Sequence, residues 1–88
     1  MKMIICIIQD TDKEKVTEAL NNEGYRITVL PSTGAFFRRG NATLMIGVDD
    51  EKVDQVVKVI KENTSKTDTP DLKRATLFVI NVDKFEQV

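Results

Sequence analysis

The sequence predicts a small α+β domain of β-α-β-β-α-β order, and three observations carry that prediction. Short β-branched runs alternate with two segments of helical spacing, each helical segment follows a pair of acidic residues, and glycine or proline stands near several of the joins. Ile4-Ile5-Cys6-Ile7-Ile8 is too short for a helix and apolar on both alternating faces, so residues 2–9 form strand one. Thr11 followed by Glu14 has capping-box spacing, and Val16, Ala19 and Leu20 recur at i, i+3, i+4, which predicts a helix ending near Gly24. Tyr25, Ile27 and Val29 alternate with Arg26 and Thr28 in strand two, which Pro31 stops. Residues 42–48, Ala42 to Val48, read as strand three, again apolar on both faces. Val53, Val56, Val57 and Ile60 form the core stripe of a second helix over 50–62. Residues 63–73 are a polar loop, 75–82 supply strand four, and 83–88 form a tail.

The two halves echo each other, Glu14-Lys15-Val16 in the first and Glu51-Lys52-Val53 in the second. Two such halves interleave into a ferredoxin-like antiparallel four-stranded sheet with both helices on one face, as a single domain over residues 1–88. Strands one and three are then central. Helices cover one of their apolar faces, and another subunit is expected to cover the other.

Composition narrows the function classes. The 88 residues are 41% hydrophobic and 31% charged, and no apolar run approaches the roughly 20 residues of a membrane span. The start, Met1-Lys2-Met3-Ile4, has no small-residue cleavage site and reads as strand, so a soluble, cytoplasmic protein is expected. A chain this short buries only about 60–65% of its unfolded surface, which favours self-association. The one cysteine, Cys6, permits neither an intrachain disulfide nor a thiolate metal cluster. With no histidine, the usual near-neutral base and the commonest zinc ligand are missing. No catalytic residue, metal ligand or cofactor is assigned. A net charge of −1 offers no broad field for a nucleic-acid polymer, although Arg38 and Arg39 concentrate positive charge locally.

The densest collection of ligand-binding parts is the stretch from Ser32 to Asn41. Gly34 and Gly40 permit close backbone approach, Ser32 and Thr33 offer hydroxyls, Phe36 and Phe37 offer ring faces, and Arg38, Arg39 and nearby Arg26 offer phosphate-directed donors. The plainer reading makes one phenylalanine core, the glycines turn residues and the arginines solvated charges of an edge strand. Asp10, Asp12, Asp49 and Asp50 stand where helices begin and read as caps before they read as a metal or acid-base cluster. The acidic turn Gln9-Asp10-Thr11-Asp12 would repel a substrate phosphate, which disfavours an acylphosphatase-like activity. Strand three offers Leu44, Met45 and Ile46 in place of RNA-stacking aromatics.

Several of these stretches together resemble the PII-like cyclic-di-AMP receptor proteins. They are Ile7-Ile8-Gln9-Asp10, Tyr25-Arg26-Ile27-Thr28, Ser32-Thr33-Gly34-Ala35-Phe36, Gly40-Asn41-Ala42-Thr43 and Met45-Ile46-Gly47-Val48, joined by Ala75-Thr76-Leu77-Phe78-Val79 and Phe85-Glu86-Gln87. The resemblance implies a PII-like homotrimer: a non-enzymatic, cytoplasmic bacterial signalling protein that binds a cyclic dinucleotide between subunits and signals by loop rearrangement to a protein partner. It implies that Arg26 and Thr28 border the ligand, that Gly34, Ala35, Phe36 and Phe37 enclose an adenine, that Asn41 and Gly47 contact it, and that Gln87 adds a weaker contact. Three features depart from the family pattern. Gly24 stands where a ligand-contacting asparagine is common, Ala35 replaces the second glycine of a Gly-Gly-Phe pattern, and residues 63–73 replace a long excursion. The alternative is a trimeric interaction module that has lost nucleotide binding and docks a protein partner through Phe36 and Phe37.

Overall fold

Four strands and two helices follow one another in the expected order. They are β1 (Lys2–Gln9), α1 (Lys13–Asn22), β2 (Ile27–Leu30), β3 (Asn41–Val48), α2 (Val53–Glu62) and β4 (Ala75–Asn81). The computed structural model describes residues 1–30, 40–65 and 75–88. The strands form one antiparallel sheet in the order β2-β3-β1-β4, so β1 and β3 are central, as their doubly apolar sequences require.

Register decides which side chains share a face. Ile4 pairs with Ile46 and Val79, Cys6 with Leu44 and Leu77, and Ile8 with Ala42 and Ala75. Ile4, Cys6, Ile8, Ala42, Leu44, Ile46 and Val48 form one buried cluster with Val16 and Leu20 of α1 and Val56, Val59 and Ile60 of α2. Both helices therefore lie on the even-numbered face of β1 and β3. Truncating a residue such as Leu44 to alanine in this core costs about 2–5 kcal/mol.

No described helix lies on the odd-numbered face of β1 and β3. Met3, Ile5, Ile7 and Met45 on it are half-buried, while Phe78 and Ile80 of β4 are 53% and 46% exposed. Its apolar rows run continuously from β3 to β4: Met45, Ile5, Phe78 in one and Gly47, Met3, Ile80 in the next.

The helix ends differ in detail from the expectation. Each helix is entered through a single 3-10 turn, Asp10–Asp12 before α1 and Asp50–Lys52 before α2, and the N-cap residue of neither turn nor helix makes a side-chain capping bond. The Thr11–Glu14 capping box is thus not formed, and the four aspartates mark helix starts without capping them through their side chains. Asp12 is buried and bonded to Ser65, and Asp50 lies 3.0 Å from the Met1 amino group, whose hydrogen bond holds its carboxyl below the ordinary value. The C-terminus of α1 does match. Gly24 takes φ +89°, its N–H donates to Asn21 O at 3.0 Å, and Tyr25 N–H donates to Leu20 O at 3.0 Å, the paired bonds of a Schellman turn.

That turn shortens strand two. The Tyr25 amide is committed to α1, so the ladder begins at Ile27 and extends to Leu30. Val29, expected on the buried side, is 45% exposed because β2 is an edge strand beside the polar face of α1. In α2 the stripe includes Val59, buried to 6%, while Val57 is half-buried.

Candidate ligand-binding site

The face of β2 and β3 turned away from the two helices collects most of the described candidate residues. Thr28 pairs with Met45, and Leu30 with Thr43; continuing that register one step sets Arg26 opposite Gly47. Asn41, Thr43, Met45 and Gly47 alternate along β3 on this same face, opposite Gln9, Ile7, Ile5 and Met3 of β1. Arg26 and Thr28 are exposed, and Asn41 is half-buried. Polar groups thus stand on and beside an apolar floor, an arrangement that suits a planar base with polar edges.

The candidates form two groups. Arg26, Thr28 and Gly47 lie within one or two rows of each other on adjacent strands, about 5 Å apart per strand. Asn41 is six residues from Gly47 along β3, about 20 Å at strand rise. One base cannot touch both within a single chain. Gln87 lies in the exposed tail beyond β4, outside either group. Gly34, Ala35, Phe36 and Phe37, with Ser32, Thr33, Arg38 and Arg39, lie outside the described residues, and so do 66–73 of the predicted polar loop.

Local structure fixes the Asn41 end firmly. Gly40 takes φ +90°, a conformation that disfavours any side chain, and its carbonyl accepts the Asp10 N–H at 2.7 Å. Asn41 then pairs with Gln9, the last residue of β1. Beside this corner, Asp12 Oδ1 accepts from Ser65 Oγ at 2.7 Å and Asp12 Oδ2 from Ser65 N–H at 3.0 Å. At the other end, a methyl group placed on Gly47 would meet Met1 Cε at 3.4 Å and nothing closer, so neither crowding nor a left-handed backbone demands glycine there.

Two features of this face were not singled out from the sequence. Thr43 is 2% exposed, and its hydroxyl has no hydrogen-bond partner among the described residues. Met45 forms the floor next to Thr28. The period-2 series Asn41, Thr43, Met45, Gly47 was the available signal, since it sets all four on one face. Among the described residues no three of histidine, cysteine, aspartate and glutamate are placed to hold a metal ion. No described helix is long and apolar enough to cross a membrane.

Comparison with known proteins finds a matching family and a similar solved structure. A protein family described as "Cyclic-di-AMP receptor" matches residues 1–70, a span that holds α1, α2, the first three strands, Arg26, Thr28, Asn41 and Gly47 but not β4 or Gln87. Among solved structures, the chain is similar to the crystal structure of a functionally unknown protein from Pediococcus pentosaceus ATCC 25745. The identity is 34%, the TM-score 0.79, and the match covers 99% of this chain and 96% of that one.

Proposed function

The chain belongs to the cyclic-di-AMP receptor family, and from that premise we propose that it is a non-enzymatic signalling protein that binds cyclic-di-AMP, or a related adenine nucleotide, at the seams of a homotrimer. It acts in the bacterial cytoplasm and signals to a protein partner by loop rearrangement. The observation that carries this reading is the sheet face opposite α1 and α2, with Arg26, Thr28, Asn41 and Gly47 set on and beside its apolar rows.

Each part has a physical role. An uncovered face holding Met3, Ile5, Ile7, Met45, Phe78 and Ile80 gains from burial against other copies, at about 25 cal/mol per Å² of apolar surface removed from water. The distance between the Asn41 and Gly47 ends is resolved when different copies supply them to one seam. There Arg26 supplies charge for a phosphate, the Asn41 amide reads an adenine edge by donating and accepting, and Gly47 leaves room for close approach. Gly34, Ala35, Phe36 and Phe37 enclose the base, and Gln87 reaches the seam from the tail. Chemistry on the bound ligand is disfavoured, because the sequence has no histidine and burial pushes the Cys6 thiol up to about 12.

Titration calorimetry with cyclic-di-AMP, alongside light scattering on the free protein, tests the proposal. Binding with one ligand per subunit in a particle of three chains is expected. Absence of heat at concentrations where another receptor of this family binds would sink the nucleotide reading, and a monomer under those conditions would sink the seam.

A further inference from the structure

We propose that Asp12 is a positioning residue for the Asn41 corner of the ligand site, acting through the 3-10 turn that joins β1 to α1. The inference rests on the nucleotide-binding reading above and adds to it a residue outside the face that meets ligand.

The turn is fastened at both ends. At its start, the Asp10 N–H donates to Gly40 O at 2.7 Å. At its end, the Asp12 carboxylate, 4% exposed, accepts the Ser65 hydroxyl at 2.7 Å on one oxygen and the Ser65 N–H at 3.0 Å on the other. Only one peptide separates the Gly40 carbonyl from Asn41. Asn41, which follows Gly40, is paired with Gln9 in the ladder, so the bond from the Asp10 N–H ties the turn to the first residue of β3.

The chemistry of Asp12 is that of a locator. Taking a carboxylate out of water is costly, and an apolar side chain of similar size would often serve stability as well or better. The neighbouring cation, Lys13, pairs with Asp10 at 3.9 Å, and the Asp12 carboxylate accepts two hydrogen bonds from Ser65. Those bonds specify direction and distance, which nonpolar packing does not. The buried carboxylate therefore fixes the end of α2 against the turn, and the turn fixes Gly40 and Asn41. An amide that reads the edge of a base needs such support, because a displacement of less than an ångström breaks paired hydrogen bonds.

The test is a set of double-mutant cycles on the full chain, with cyclic-di-AMP affinity read by calorimetry. Asp12→Asn keeps the shape but replaces one of the two accepting oxygens with an NH2 donor, and is expected to reduce affinity about three- to tenfold. The same change made in Asn41→Ala should cost nothing further, whereas in Thr28→Ala it should cost the full factor. Ser65→Ala, which removes the hydroxyl and keeps the N–H, should follow the same pattern more weakly. An equal loss in both backgrounds, or no loss, overturns the positioning role. A ligand-free arm keeps that result separate from failure of the nucleotide reading, and decides the matter where affinity falls below detection. In amide NMR spectra, Asp12→Asn should move Asp10, Gly40, Asn41 and Ser65 and leave Thr28 and Gly47 in place. Unmoved Gly40 and Asn41 signals overturn the inference whatever the protein binds.

Discussion

Ile5 of β1 and Phe78 of β4 are register partners on the sheet face opposite α1 and α2, and Phe78 is 53% exposed there. Met45 continues their row on the other side of Ile5. An apolar row across three strands is a surface with more hydrocarbon than a small chain ordinarily leaves in water.

Phe78→Asp should therefore break the association and spare the fold. The side chain lies on an edge strand outside the buried cluster, so the circular dichroism spectrum should be unchanged while light scattering falls from three chains to one. Cyclic-di-AMP binding should fall with it, since the proposed seam needs two copies. A variant that stays trimeric would place the interface elsewhere.

Thr43→Val should stabilise the protein. The hydroxyl is buried without a partner among the described residues, and replacing it by a methyl group of nearly the same shape removes a desolvation cost of about 1 kcal/mol or more. Urea unfolding should show a higher midpoint with an unchanged m-value. A lower midpoint would mean that the hydroxyl has a partner in solution.

Cys6 should resist thiol reagents in the native state and lower stability at high pH. Burial raises its thiol to about 12, from 9.0 in the unfolded chain. Between these values the unfolded chain has released a proton that the folded one still holds, so stability is full below pH 9 and declines from there toward pH 12. The limiting slope is about 1.4 kcal/mol per pH unit. Comparing the pH dependence of urea midpoints with that of Cys6→Ala isolates the effect, because only the parent should show this added slope. Disulfide exchange with an aromatic disulfide reagent at pH 8 should be slow until denaturant is added.

Gly24→Asn should exchange some stability for affinity. A Cβ at this position meets nothing within 4 Å, so there is room, but φ +89° strains a residue with a side chain by about 1 kcal/mol. Asparagine is the residue common here in the family that the chain resembles, and it would stand two positions before Arg26. One added hydrogen bond to the ligand would tighten binding by up to about tenfold, equivalent to about 1.4 kcal/mol. Calorimetry on the variant checks this, and an unchanged affinity would take Gly24 out of the site.

Element type was legible because it is local. Alternation in Ile4 to Ile8 and 3–4 spacing from Val16 to Leu20 each need only a few neighbouring residues, and the Gly24 turn is encoded by one glycine. The errors arose where a distant group competed for a backbone or side chain. Tyr25 left strand two because its amide serves Leu20, and Val29 lost its cover because β2 is an edge. Asp12 looked like a cap and instead bonds a residue 53 positions away.

By itself the sequence determined the order of elements, the central place of β1 and β3, the helix-covered face and the resemblance to cyclic-di-AMP receptors, since periodicity and motif spacing are written along the chain. Only the tertiary structure decided that Arg26, Thr28 and Gly47 gather apart from Asn41, that the Thr43 hydroxyl is buried with no partner among the described residues, and that Asp12 reaches Ser65. Those relations depend on strand register and on which ends of the elements meet. Register and contact are products of the whole packed chain, and no local pattern encodes them.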